Sequence, residues 1–267
     1  MRMLSPNSLL AFVASALTLT AASAVHAGPY APAAGKAGST AISKDSTLIT
    51  HWATGYRDYL PGTDVDAIWQ TPDKALGKAV GDSFDVVVLG NGGSITLTFD
   101  GYITNGAGAD FAVFENSFSD TFLELAWVEV SSNGIDFFRF ANTSLTSKPV
   151  TAFGSVDPTN IDGLAGKYKQ GWGTPFDLDV LAGTAGLDID KVQYVRIVDI
   201  VGDGSARDSA GRIIYDPHKT VGSGGFDLDA IGVMNHAAIA AVPEPSALAL
   251  VGVGLGIVAL SRRRRQA

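Results

Sequence analysis

Between residues 83 and 233 the chain is a succession of short β-rich runs broken by glycine, and its apolar residues nowhere recur at helical spacing over a normal helix length. Residues 84–89 (Phe-Asp-Val-Val-Val-Leu) form one run, Gly90-Asn91-Gly92-Gly93 stops it, and residues 94–99 alternate polar with apolar. The pair reads as a hairpin on a glycine turn, with Ile95, Leu97 and Phe99 facing a core. Asp100-Gly101 reads as another turn, and further runs lie at 111–116, 121–131, 137–140, 192–200 and 226–233. About eight short strands without a helix predict an all-β fold, an antiparallel β-sandwich of jelly-roll-like form.

In the run 121–131, Ala126, Val128 and Val130 fall on one face, and Leu125, Trp127 and Glu129 on the other. The first face is core. Trp127, on the mixed face, is a candidate ligand contact. Residues 43–76 carry Trp52, Tyr56, Tyr59 and Trp69 with little period and read as irregular cover on a sheet edge. Residues 142–190 hold many Gly and Pro and read as a long connection of the kind that carries function, with Trp172 exposed in a loop between Gly171 and Gly173. Phe-Asp-Leu-Asp occurs at 176–179 and again at 226–229, but its surroundings do not repeat, so no solenoid is expected.

At the N-terminus, Met1-Arg2, an apolar segment at 9–22 and small residues at Ala22-Ser23-Ala24 or Val25-His26-Ala27 predict a secretory signal peptide over 1–27, cut by signal peptidase. Residues 28–42 then read as a flexible leader, 43–236 as the sandwich domain and 237–242 as a linker. An exported chain without cysteine must hold its core without disulfides. Setting aside Arg2, Glu244 and the four terminal arginines leaves 14 basic and 26 acidic residues, a net charge near −12. That balance argues against nucleic acid and anionic lipid as partners and admits divalent cations.

Enzyme signatures are missing: there is no cysteine nucleophile, no Gly-x-Ser-x-Gly elbow, no His-Glu-x-x-His and no phosphate loop. Glu124 and Glu129 could form a glycosidase pair, but their odd spacing on a strand points them to opposite faces. We therefore expect a non-enzymatic domain. Calcium requires six to eight oxygens held in flexible loops, and such oxygens cluster at Glu115-Asn116, at Asp199 with Asp203 and Asp208, and at Asp227 with Asp229. Glu115, Asn116, Asp199, Asp203, Asp227 and Asp229 are the candidate ligands of a structural Ca2+. Sugar binding requires aromatic faces, for which Trp127 and Trp172 are the candidates.

The closing run Phe226-Asp227-Leu228-Asp229-Ala230-Ile231 resembles the last strand of galactose-binding-like jelly rolls, including many carbohydrate-binding modules. That resemblance implies that Asp229 helps hold a structural calcium. At the C-terminus, Val242-Pro243-Glu244-Pro245, an apolar stretch over 247–260 and Arg262 to Arg265 closely resemble the PEP-CTERM sorting signal, with Pro243, Glu244 and Pro245 as the motif. The resemblance implies export in a Gram-negative bacterium and a transient transmembrane anchor in the inner membrane at 247–260. It further implies cleavage by an exosortase within a sorting signal at 243–265, and delivery to the cell surface or extracellular matrix. The expectation is a surface domain that binds extracellular polysaccharide, with a structural biofilm protein or a glycan hydrolase as the alternatives.

Overall fold

The computed structural model describes residues 28–240. In chain order its strands are β1 (Ile42–Ser43), β2 (His51–Trp52), β3 (Gly55–Leu60), β4 (Val87–Val88), β5 (Ser94–Ile103), β6 (Phe111–Glu115) and β7 (Ala126–Ser131). They are followed by β8 (Phe138–Arg139), β9 (Thr143–Ser144), β10 (Ile161–Asp162), β11 (Trp172–Phe176), β12 (Val192–Asp199), β13 (Asp227–Val233) and β14 (His236–Ala238). The helices among the described residues are short 3-10 turns. None is long and apolar enough to cross a membrane. The expected signal peptide and sorting helix lie outside the described residues.

Two antiparallel sheets carry the fold. The first runs β1-β11-β6-β13-β2 with β4 also on β13, and the second runs β14-β5-β12-β7-β8 with β3 also on β5. From β5 onward the longer strands β5, β6, β7, β11, β12 and β13 alternate between the two sheets. The expected all-β double sheet is therefore present. Its core lies between the sheets, where Ile95, Leu97, Phe99, Val128, Val130, Val195 and Ile197 of one meet Phe111, Val113, Phe176, Leu228 and Ile231 of the other. Each such side chain contributes roughly 1.5–3 kcal/mol on burial, which is how the domain holds without disulfides. A second cluster, with Leu123, Leu125, Ile161, Leu164, Ile200 and Ile214, fills the space beneath the long loops.

Several expectations about connectivity need correction. Residues 84–89 and 94–99 do not form a hairpin: β4 pairs with β13 in the first sheet, whereas β5 lies in the second. Val86, Val87, Val88 and Leu89 are all fully buried, so this run is covered on both faces. Gly90-Asn91-Gly92-Gly93 is thus the corner between the sheets. Gly90 takes φ +76°, and a Cβ on Gly93 would fall on the Leu89 carbonyl oxygen. Nor does Asp100-Gly101 end a strand, because β5 continues through it to pair with β14.

Residues 142–190 are not merely a connection. They contain β11, the neighbour of β6 in the first sheet, so Trp172 starts a strand and is half-buried opposite Ser43. Its Gly and Pro hid this strand. Pro175 lies beyond the two residues that pair with β1, at an edge where a missing N–H is tolerated.

The expected flexible leader is packed down. Gly28 donates to Thr159 Oγ1 at 2.6 Å, Tyr30 N donates to Thr159 O at 3.1 Å, and Thr40 Oγ1 meets Tyr168 Oη at 2.8 Å. Similarly, β14 extends the sheet to Ala238, two residues into the expected linker.

Candidate ligand-binding site

At the end of the sandwich where β6 finishes and β13 begins, five parts of the chain line a cavity of about 280 Å³. Asn116, Glu124 and Asp227 supply its polar floor together with Thr220. Its walls are Trp69, Phe84, Phe118, Phe122, Phe153 and Val221, with Lys219, Ser83 and Ser223 at the edge.

The floor is built from strand ends. Glu115, the last residue of β6, is buried next to the floor without lining it, and its Oε2 accepts from Ser117 N at 2.8 Å. Asn116 Nδ2 donates to Asp227 Oδ2 at 2.9 Å and to Ser83 O at 3.3 Å. Glu124 Oε1 accepts from Thr220 Oγ1 at 3.1 Å, and that hydroxyl is fixed by Gly225 N at 3.2 Å. Glu115 Oε1 and Asp227 Oδ1 are buried and have no partner.

Burial, and then the charge of Asp227, pushes the Glu115 carboxyl well up. Glu124 is raised in the same way, by burial first and then by Asp227 and Glu115, and Asp227 is raised chiefly by burial. These acids sit near one another in a low-dielectric site, so they resist carrying full negative charge together. The one lysine at the rim does not relieve them, because Lys219 Nζ pairs with Asp64 Oδ1 at 2.9 Å.

The rim is aromatic and open. Phe118 stacks on Phe122 with centroids 4.7 Å apart, and Phe122 on Phe153 at 6.0 Å. Phe84, Phe118 and Phe153 are 69%, 63% and 81% exposed, an arrangement that leaves ring faces available to a ligand.

Of the six expected metal ligands, Glu115, Asn116 and Asp227 come together here, whereas the other three lie apart in different surroundings. Asp199 accepts from Gly92 N and Phe226 N, both at 2.7 Å, and ties the inter-sheet corner to β13; burial pushes its carboxyl up to about 6. Asp229 sits at a bulge in β13 and accepts from Val80 N at 3.0 Å and Gly81 N at 2.9 Å, so both of its oxygens are taken. Asp203 closes its own turn on Ser205 N at 2.8 Å, and Asp208 pairs with Arg212 at 2.7 Å. Among the described residues no three His, Asp or Glu side chains are grouped to hold a metal ion.

Neither Trp127 nor Trp172 lines the cavity. Trp127 is half-buried beneath the Arg139 guanidinium, 4.2 Å from the ring centroid, and packs on the second core cluster. Glu129 lies on the outer face of the second sheet, held by Arg139 Nε at 2.9 Å and Arg196 Nε at 2.6 Å; Glu124 precedes β7 and lines the cavity, so strand alternation does not relate the two. The sequence reading missed the pairing of Glu124 with Asp227 and the phenylalanine rim. The doublet of Phe118 and Phe122 around small polar residues was the available signal.

The last strand, β14, ends three residues before the segment that decides where the domain travels. Residues 241–265 match the PEP-CTERM protein-sorting motif. The chain carries a PEP-CTERM sorting motif. The motif implies export, transient passage at the membrane and processing by an exosortase. Pro243, Glu244 and Pro245 fall inside the match and outside the described residues. No curated protein matches the chain. The PEP-CTERM motif therefore bears on destination, and the domain's activity has to be argued from the cavity.

Proposed function

We propose that this exported domain binds a polysaccharide at the surface or in the matrix of a Gram-negative bacterium, without turning it over, and that it does so at the phenylalanine-rimmed cavity. The observation that carries this is the stack of Phe118, Phe122 and Phe153 beside buried carboxyl groups. Sugar rings present C–H faces that pack on aromatic rings and hydroxyls that donate to carboxylates. Pull-down on matrix polysaccharides with wild type and a Phe118→Ala/Phe153→Ala variant tests the reading. Both side chains are mostly exposed, so the variant should fold. Retention by wild type and its loss in the variant support binding at the cavity; equal retention of the two, or none on any glycan, removes it.

One observation favours a hydrolase as the second reading. Glu124 and Asp227 line the same cavity with raised carboxyl pKa values, as a general acid and its partner would. Reducing-end release from a broad glycan panel, abolished in Glu124→Gln, would establish it.

Calcium stabilisation is a separate proposal with narrower support. Two partnerless carboxylate oxygens, on Glu115 and Asp227, fall short of the six to eight that calcium takes. Melting with and without chelator tests it: a midpoint that falls on chelation supports a structural ion, and an unchanged one excludes it.

A further inference from the structure

We propose that the group seated on the cavity floor is a primary ammonium, so that the polysaccharide is an amino-sugar polymer with free, non-acetylated amines. This deepens the binding reading above and rests on it.

The starting point is a contrast among the buried acids. Asp110 accepts from Gly106 N, Leu178 N and Asn235 Nδ2 at 2.7–2.8 Å. Asp216 accepts from Leu125 N at 3.0 Å and Gly202 N at 2.9 Å. Asp199 and Asp229 likewise take two N–H groups each. Elsewhere in the domain, then, backbone and amide donors meet these carboxylates. At the cavity floor Asp227, 5% exposed, keeps an oxygen with no donor, and so does its neighbour Glu115, 1% exposed, which does not itself line the cavity. A buried acceptor without a partner is unfavourable, and an external donor relieves it.

The donor's chemistry follows from what surrounds it. A neutral hydroxyl would satisfy one oxygen and leave the mutual repulsion of Glu115, Glu124 and Asp227 in place. An ammonium brings three N–H donors and a positive charge to the same spot. The phenylalanine walls also favour it, since aromatic faces attract cations and pack on the apolar face of a sugar ring, whereas they offer a bare metal ion no oxygen. Lys219, the lysine that lines the cavity, is engaged by Asp64 at the rim.

Isothermal titration of the purified full chain at pH 7 compares glucosamine oligosaccharides with their N-acetylated counterparts of equal length, with and without EDTA. The free-amine series should bind at least about tenfold more tightly, the value of one charge-assisted hydrogen bond, and Asp227→Asn should remove that preference. Phe153→Ala, at a mostly exposed position, should weaken both series, and the melting curve of Asp227→Asn shows whether that variant is folded. Equal affinity for the two series, an unaltered preference in Asp227→Asn, or binding lost with EDTA would overturn the ammonium assignment while the polysaccharide reading stands. Binding of neither series, with none to any other glycan, would overturn both.

Discussion

Asn116 Nδ2 donates to Asp227 Oδ2 at 2.9 Å and so clamps the end of β6 to the start of β13, while Asp227 Oδ1 is left without a partner. The floor of the cavity is therefore tied into the first sheet through one oxygen of a carboxyl whose other oxygen is buried without a partner.

Replacing Asn116 by alanine leaves both oxygens of the buried Asp227 unpaired and also removes the contact to Ser83 O. We expect a loss of about 1–3 kcal/mol in urea denaturation at pH 7, the cost of orphaning a buried polar group. An unchanged midpoint at constant slope would mean that the clamp contributes nothing to the fold.

The raised carboxyls predict an unusual pH dependence. Asp199 and Asp229 move from 3.8 to about 6 through burial, and Glu115, Glu124, Asp216 and Asp227 move upward for the same first cause. A carboxyl with a raised folded pKa binds its proton more tightly when folded. Its contribution is fully present below the unfolded value and is lost as pH rises through the folded one. For Asp199 and Asp229 that window runs from about 4 to about 6, and each is worth on the order of 3 kcal/mol at most. Lowered groups such as Asp64 and Asp82 act the other way, but only as pH falls below their ordinary range. The ligand-free protein should therefore melt higher at pH 5 than at pH 8. Asp227→Asn should flatten the slope by raising the melting point at pH 8. A higher melting point at pH 8 than at pH 5 in wild type would contradict the assignment.

Why some of this was legible in the sequence and some was not follows from range. Alternation is local, so Ile95, Leu97 and Phe99 of β5, and Ala126, Val128 and Val130 of β7, could be assigned to the core, and all six are there. Sheet membership is not local. Gly90-Asn91-Gly92-Gly93 suits a hairpin as well as a corner, and the partner that decides between them, Asp227-Leu228 opposite Val88-Val87, lies nearly 140 residues on. The cavity is a similar case. Glu115, Asn116 and Asp227 stand out because oxygen-bearing side chains at strand ends are conspicuous, but the sequence offers Glu124 only Glu129 as a nearby carboxylate, and Phe153 belongs to a different loop from Phe118 and Phe122.

Asp229 offers a test that separates a structural carboxylate from a metal ligand. Its two oxygens hold Val80 N and Gly81 N over the first sheet, and alanine there leaves two donors without acceptors. The expected cost is about 2–4 kcal/mol in chemical denaturation, independent of calcium or chelator. If instead the variant lost a calcium-dependent rise in melting temperature that wild type shows, Asp229 would be a ligand after all.

The tryptophans and the phenylalanines make opposite predictions, which localises any binding site. Trp172 begins β11 against Ser43, so Trp172→Ala should lower the melting temperature through lost packing and leave polysaccharide retention intact in the protein that remains folded. Trp127 is capped by Arg139, and Trp127→Phe should behave in the same way with a smaller stability change. Phe118 and Phe153 are mostly exposed and stack through Phe122, so replacing both should leave the melting temperature within a few degrees and abolish retention. Affinity electrophoresis on each candidate glycan, beside melting curves of the same samples, reads both quantities at once. Retention that follows Trp172 and ignores Phe118 would move the binding surface to the edge of the first sheet, where β1 and β11 meet, and the carboxyl floor would then need another explanation.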